Sequence, residues 1–236
     1  MSTLTRPAKL QPLEEHADPT SVRRLEATGV GEGWQCLHLG EPGSAVADWL
    51  AEQVGPGGSV EVVSDDLVEL ERPADSLDLI HTRCVLMHVP NRRRALKQMV
   101  GWLKPGGWLV VEELDWMAAL SDPDADRVAL FEALREALPG VDFESGRALL
   151  GDLSRAGLID TTADVRVDVI EGATPLARWE QRSVRALAGE ALSAGTASED
   201  EVDRHLARLD DPNYRGLGFT WVGACGRRDS TAFSVL

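Results

Sequence analysis

Apolar residues along this chain follow two main patterns, short runs rich in apolar residues and runs with helical spacing. Residues 34–39 form a short, mostly apolar run that ends at Gly40, and residues 108–111 form an apolar run after Gly107; both are typical of buried strands. Residues 45–54 and 91–103 place apolar side chains three and four positions apart, which predicts amphipathic helices. Further strands are predicted at 60–63, 77–80, 165–169 and 219–225, and further helices at 18–28, 124–138, 145–156, 175–193 and 199–209.

Strands that alternate with helices over the first half predict an α/β fold, a Rossmann-like and mostly parallel sheet with helices on both faces. Residues 1–17 are polar, contain Pro7 and Pro12, and are expected to form a flexible N-terminal arm before a single domain at 18–236. Asp18 suits the start of the first helix, because aspartate caps the first turn and Pro19 needs no hydrogen bond there.

Ligands of open parallel sheets bind beyond the carboxyl ends of the strands. The segments that follow the predicted strands are therefore the candidates for a binding site. They are residues 40–44, 64–66, 80–83 and 112–116.

Composition narrows the functional classes. The 236 residues carry 24 basic and 39 acidic side chains, a formal charge of −15, which argues against a nucleic-acid partner. No apolar run reaches the roughly 18 residues that cross a bilayer. The three cysteines stand singly, without metal-ligand spacing, and residues 1–9 contain no signal-peptide core, so we expect a cytoplasmic protein without a metal site.

Three segments carry a resemblance to a known family. They read LDLIHTR at 77–83, LMHVP at 86–90 and LKPGGWLVVEE at 103–113. With these motifs the chain resembles class I S-adenosylmethionine-dependent methyltransferases, of the small-molecule type common in actinobacteria. The resemblance covers most of the chain and implies the same Rossmann-like fold.

The turn after the first predicted strand departs from that family. The resemblance implies an acidic residue followed by a glycine-rich turn that approaches the cofactor. Here His38 stands at the acidic position, and Pro42 and Ser44 stand where glycines are expected. Gly40 and Gly43 keep the pattern, so they are the predicted cofactor-binding glycines, in a vestigial or weakened site.

The next strand departs as well. The resemblance implies an acidic residue after the second strand that binds the cofactor ribose. In one alignment residues 60–63 are the family's third strand, and a whole strand–helix unit is missing; this alignment is favoured because no helix-length segment remains before Leu77. In the other alignment residues 60–63 are the second strand, and Asp65 or Asp66 binds the ribose. A sheet one strand short exposes an edge, which a second chain or the N-terminal arm could cover.

Polar residues near the strand ends supply the candidate chemistry. Neutral histidine is a plausible general base, and close carboxylates can act as acids or bind cations. The predicted catalytic residues are His81, Glu112 and Asp115. The predicted substrate-binding residues are Arg83, Glu113 and Trp116.

The departures at the turn lead to the first functional hypothesis. It is a biosynthetic enzyme that uses the methyltransferase fold without S-adenosylmethionine, for cyclisation, elimination or intramolecular displacement on a small molecule. This hypothesis expects no cofactor. The alternatives are an authentic S-adenosylmethionine-dependent methyltransferase of a small molecule, and a non-catalytic partner subunit that docks through the shortened sheet edge.

Overall fold

The computed structural model of the protein describes residues 11–40, 43–64, 67 and 69–230. Asp65 and Asp66, the predicted ribose ligands, lie outside the described residues. The helices are α1 (Gln11–Glu26), α2 (Ala45–Val54), α3 (Arg92–Trp102), α4 (Ala125–Ala137), α5 (Ser145–Arg155), α6 (Pro175–Ala194) and α7 (Glu199–Asp210). The strands are β1 (Gln35–Leu39), β2 (Ser59–Val63), β3 (Leu77–Arg83), β4 (Leu103–Asp115), β5 (Leu158–Glu171) and β6 (Arg215–Arg228).

The strands form one six-stranded sheet in the order β2-β1-β3-β4-β6-β5. The pairs β1–β2, β1–β3 and β3–β4 are parallel, and β4–β6 is antiparallel. This arrangement confirms the predicted mostly parallel α/β sheet. Since β1, β3 and β4 run the same way, their carboxyl ends meet at one edge of the sheet, where a ligand site is expected.

β2 takes the place directly beside β1. All five of its residues pair with β1, from Ser59 opposite Gln35 to Val63 opposite Leu39. The described residues between β2 and β3 form no helix. In the favoured alignment β2 corresponds to the family's third strand. In the structure β2 lies directly beside β1 and forms the edge of the sheet.

Both faces of the parallel strands are covered, and the alternation of side chains along β1 shows it. Leu37 and Leu39 enter one apolar cluster with residues of α3 and α5. Cys36 enters a second cluster, with Leu25 of α1 and with residues of α2. Consecutive residues are buried on opposite faces because both faces carry helices, as in other parallel sheets.

The first helix begins earlier than the sequence predicts. α1 starts at Gln11, so residues 11–17 continue the helix and are not part of an arm; residues 1–10 lie outside the description. Pro19 therefore lies inside the helix instead of at its first position. Asp18 does not begin the helix, and its carboxylate instead accepts a 2.7 Å hydrogen bond from Arg83.

The chain divides into two compact units. One consists of residues 11–17, Trp116–Gly140 and Val167–Phe219, and the other of Asp18–Asp115, Val141–Arg166 and residues 220–230. The sequence analysis predicts a single domain at 18–236. Residues of this range belong to both compact units. The second unit contains β1, β2, β3 and β4, and with them the carboxyl strand ends.

The first unit is built around α4, α6 and α7. Arg127 of α4 is fully buried and forms a 2.9 Å ion pair with Glu180 of α6, whose carboxylate also lies 3.0 Å from His205 Nε2 of α7. Four aromatic rings pack beside this ion group. They are Trp116, Phe131, Trp179 and Phe219.

Among the described helices, none combines the length and the apolar character that crossing a bilayer requires.

Candidate functional site

The turn after β1 is the most distinctive strand end. Gly43 has φ +79°, a left-handed conformation that favours glycine, and no atom lies within 4 Å of where its side chain would be. A methyl group added at Gly40 would lie 2.6 Å from His38 Nε2, so a side chain at this position would force the ring to move. Both predicted cofactor-binding glycines thus have structural reasons to be glycine. Glu41 and Pro42 lie outside the described residues.

Ser44 ends the turn and begins α2. It occupies the N-cap position, yet its hydroxyl forms no capping hydrogen bond to the helix. Its Oγ is buried and has no hydrogen-bond partner in the described part of the chain. The first turn of an α-helix also offers unpaired N–H groups and a partial positive charge. A ligand oxygen at this end of α2 would satisfy both.

A second buried hydroxyl lies at the end of the neighbouring strand. Thr82 pairs in register with Leu39, the last residue of β1. Its Oγ1 is likewise buried without a partner within residues that the structure describes. Buried polar atoms are normally satisfied, so each of these two hydroxyls is a candidate contact for a ligand. The Ser44 hydroxyl lies beside the unpaired N–H groups of α2, and the Thr82 hydroxyl lies near the carboxyl end of β3.

Behind the turn, three side chains form a buried polar chain across β1, β3 and β4. His38 and His81 are paired in register, their rings stack, and their Nδ1 atoms are 2.9 Å apart. His81 Nε2 lies 3.5 Å from Glu112 Oε1. A carboxylate beside Nε2 favours a proton on that nitrogen, so His81 Nδ1 accepts a hydrogen bond from His38 Nδ1. The remaining nitrogen of His38, Nε2, is then an acceptor beside Gly40.

Burial and neighbouring charges fix the charge states in this chain. Burial is the main cause that lowers the pKa of His38 to about 2, with His81 and Arg83 adding to it. The ring is therefore neutral at physiological pH. Burial by itself raises the pKa of Glu112, but His81, Arg24 and Arg83 outweigh it and hold the pKa at about 2. Glu112 is therefore a carboxylate.

Helix α1 holds the other oxygen of Glu112. Ser21 Oγ donates to Glu112 Oε2 at 2.8 Å, and Arg24 lies 3.2 Å from the same oxygen. Arg24 also binds Asp164 of β5 through two hydrogen bonds of 2.7 and 2.6 Å. A cavity of about 320 Å³ is lined by Arg24 and by Gly223 of β6, among other residues. It therefore lies near the Glu112 end of the polar chain, where Arg24 is bound.

Glu113 points away from Glu112 and binds backbone. Its carboxylate accepts hydrogen bonds of 3.1, 2.8 and 3.2 Å from the N–H groups of Val85, Leu86 and Met87. Burial raises its pKa to about 7, although these N–H groups partly oppose the rise. Glu113 therefore fixes the segment after β3.

The remaining predicted residues are dispersed. Asp115 is fully buried and binds Arg147, with contacts of 2.8 and 2.7 Å to the guanidinium. Arg83 is paired with Asp18, and Trp116 packs edge-on against Phe131 in the first unit. Of the predicted catalytic residues, the structure brings His81 and Glu112 together and places Asp115 in a separate ion pair.

Sequence reasoning missed several members of the polar chain. It noted that His38 stands where the family has an acidic residue, but it gave His38 no role. The signal that joins the two histidines is their place on neighbouring strands, where they are paired in register. Ser21 and Arg24 carry no such signal, because their contact with Glu112 bridges about 90 residues of sequence. Ser44 appeared only as a lost glycine.

Comparisons with known proteins agree with this fold. Residues 28–162 match the protein family described as a methyltransferase domain. Methyltransferase str2 of Strobilurus tenacellus is 41% identical over 51 residues, 22% of this chain and 18% of that protein. Phosphoethanolamine N-methyltransferase 1 of Arabidopsis thaliana is 27% identical over 119 residues, 50% of this chain and 23% of that protein. The matches thus span about a fifth of these curated relatives.

Solved structures share the fold at low sequence identity. A phosphoethanolamine N-methyltransferase of Haemonchus contortus, in complex with phosphomonomethylethanolamine and S-adenosylhomocysteine, has a TM-score of 0.56 over 89% of this chain and 52% of that chain, at 14% identity. A Bacillus halodurans protein described as a methyltransferase has a TM-score of 0.53 over 88% of this chain and 98% of that chain, also at 14% identity.

These matches correct one expectation. The first functional hypothesis expects no cofactor, and that expectation is wrong. The matched family is one of methyltransferases, and the Haemonchus contortus enzyme with this fold was solved with S-adenosyl-L-methionine as well as with S-adenosylhomocysteine.

Proposed function

Because this chain belongs to the methyltransferase domain family, we propose that it transfers the methyl group of S-adenosylmethionine to a small molecule. The observation that carries the proposal is the turn after β1, where a left-handed glycine leads to a helix N-terminus with a buried, unpartnered serine hydroxyl. These groups lie where the family's cofactor site is expected.

Three residues would hold the cofactor in this site. Gly40 and Gly43 place no side chain at their own positions in the turn, and Ser44 offers a hydroxyl beside the N–H groups of α2. S-adenosylmethionine supplies an electrophilic methyl group when it is bound. The helix N-terminus suits a carboxylate, which such a cofactor carries at its amino-acid end.

The buried polar chain supports the turn and does not act as a base. His81 is fully buried between His38 and Glu112, so its nitrogens face these two side chains and not a bound methyl-acceptor substrate. The ring of His38 is neutral because burial lowers its pKa to about 2. We therefore assign His81 and Glu112 as positioning residues that orient the His38 ring beneath Gly40. Methyl transfer then relies on orientation of the acceptor.

Charge supports a small acceptor. The formal charge of −15 disfavours nucleic acid as a substrate. The curated relatives include phosphoethanolamine N-methyltransferases, whose names state a small amine as the acceptor. The acceptor proposed for this chain is a small molecule, such as an intermediate of natural-product biosynthesis.

Isothermal titration calorimetry with S-adenosylmethionine and S-adenosylhomocysteine tests the proposal. We expect both to bind the wild-type chain with dissociation constants in the micromolar range. Gly43→Val should weaken binding at least tenfold, because a β-branched residue does not adopt φ near +79°. Gly101→Ala is the matched control, since this glycine lies inside α3 with open space around it and should leave binding unchanged.

The second measurement is formation of S-adenosylhomocysteine with a panel of small amines, phenols and carboxylic acids. Turnover of at least one acceptor by the wild type, reduced in Gly43→Val, is the expected result. A folded wild-type chain that shows no binding of either cofactor at millimolar concentration would refute the proposal. It would favour a non-catalytic subunit.

A further inference from the structure

The two edge strands of the sheet differ greatly in length. β2 forms one edge; it has only five residues, and its exposed Glu61 is paired with Arg72. β5 forms the other edge and has 14 residues. A long edge strand presents a row of backbone N–H and C=O groups that can pair with another strand. Among the described residues, the longer free edge is therefore the one away from the turn.

The outer part of β5 carries an exposed apolar stripe. Val165, Val167 and Val169 are 62%, 44% and 55% exposed, and their alternation places them on one face of the strand. Soluble proteins usually place charged or polar side chains on such an edge. Three exposed valines in alternation instead suit a surface that packs against another chain.

The intervening residues of β5 carry charges of both signs. Asp164, Arg166 and Asp168 occupy the opposite face of the strand. Asp164 binds Arg24, Arg166 donates to Thr20 Oγ1 at 2.9 Å, and Asp168 Oδ2 lies 2.6 Å from His16 Nε2. These contacts hold the charged side chains in place along the strand.

We propose that β5 pairs antiparallel with β5 of a second copy of this chain, around a two-fold axis at Val167. In this register Val167 lies opposite the partner's Val167, and Val165 lies opposite the partner's Val169. Arg166 lies opposite the partner's Asp168, on the other face. Opposed residues of an antiparallel pair share a face, so the register matches valine with valine and cation with anion.

Other registers are less favourable for physical reasons. A shift by one residue places valines opposite charged side chains. An axis at Arg166 opposes two arginines and places Asp164 opposite the partner's Asp168. An axis at Val165 keeps a single valine pair. The axis at Val167 therefore combines the largest apolar contact with favourable charge pairing.

Net charge sets the conditions in which the dimer forms. Each copy carries a formal charge of −15, so two copies repel at long range. Salt screens this repulsion over about 10 Å at 0.1 M. Sedimentation equilibrium should therefore show a concentration-dependent dimer that strengthens as sodium chloride rises from about 0.05 to 0.5 M.

Single cysteine variants test the register. Cα atoms of opposed residues are about 4.5 to 5.5 Å apart in antiparallel pairs, which is within the range of a disulfide. Val167→Cys should form a disulfide-linked dimer under mild oxidation. Val165→Cys and Val169→Cys alone should not, but a mixture of the two should form a mixed dimer. The wild-type chain, with its own cysteines, is the control and should stay unlinked.

A charge variant tests the dimer without cross-linking. Val167→Lys should weaken the dimer at least tenfold, since it places two ammonium groups opposite each other. Leu150→Lys is the matched control, because Leu150 is 43% exposed on α5 and should leave the dimer intact. A chain that is monomeric at all salt concentrations, or that cross-links through position 165 and not 167, would overturn the proposal.

Discussion

His38 and Gly40 depend on each other. The ring of His38 occupies the space in which a side chain at Gly40 would lie, and His81 holds that ring from the other side. The φ of Gly40 lies outside the left-handed region, so the close approach of the ring, and not backbone strain, requires glycine. The two positions therefore act as a unit.

Gly40→Ala should destabilise the chain by roughly 2 kcal/mol, because the added methyl group overlaps His38 Nε2. In a His38→Ala background the same substitution should cost almost nothing, since the ring is gone. Urea unfolding of the four proteins gives the coupling energy. Equal costs in both backgrounds would show that the ring is not the obstacle.

Glu112 and Glu113 are neighbours with opposite surroundings. Glu112 faces His81 and Arg24, while the contacts described for Glu113 are with backbone N–H groups and the Ser145 hydroxyl. Consecutive residues of a strand point to opposite faces, so one residue step separates a stabilised carboxylate from one that burial disfavours. The sequence analysis assigned Glu112 to catalysis and Glu113 to substrate binding, and it did not predict the backbone contacts of Glu113.

Helices α4, α6 and α7 are joined by a buried ion group. Arg127 lies between Glu180 and Phe131, with its Cζ 4.7 Å from the ring centroid. A buried guanidinium is costly unless it is paired, and removal of one partner leaves the other charge uncompensated. The ion group therefore makes the packing of these helices sensitive to single substitutions.

Arg127→Met should lower the free energy of unfolding by about 3 to 5 kcal/mol, because Glu180 keeps its burial and loses its guanidinium. Adding Glu180→Leu should recover part of that loss. Arg208→Met is the control: Arg208 pairs with Asp124 and Asp126 near the surface, so its loss should cost at most about 1 kcal/mol. Similar losses for both arginines in chemical unfolding would contradict this account.

For the whole molecule, the two buried glutamates shape the dependence of stability on pH. The pKa of Glu112 is lowered to about 2, so its contribution is present above its unfolded pKa and is lost as pH falls toward 2. The pKa of Glu113 is raised to about 7, so the folded state keeps a proton that the unfolded state releases, and stability falls as pH rises toward 7.

Wild-type stability should therefore decline between pH 5 and pH 8 by roughly 2 to 3 kcal/mol more than that of Glu113→Gln. The physical reason is that the variant has no carboxyl group to ionise at this position. Denaturant unfolding at several pH values measures both slopes. Parallel curves for the two proteins would mean that Glu113 does not titrate in this range.

The predicted elements were largely correct, and the errors have physical causes. Helical and strand periodicity located most of the α-helices and strands in the described part of the chain, because burial of one face imposes it. The predicted helix at 199–209 is present as α7, and Ser198 and Glu201 form a capping box at its start. The start of α1 was misplaced because Asp18-Pro19 has the residues of a helix start, although tertiary contacts use Asp18 to bind Arg83.

The sequence by itself determined the class of fold, the location of the turn after β1 and the two glycines in it, because these follow from local periodicity and backbone freedom. Tertiary structure alone decided which polar residues meet. Strand register joined His38 to His81 and Glu112, and α1 brought Ser21 and Arg24 to the same carboxylate. Contacts over long sequence separations depend on how strands are ordered and helices are docked, and a linear pattern does not encode those partners directly.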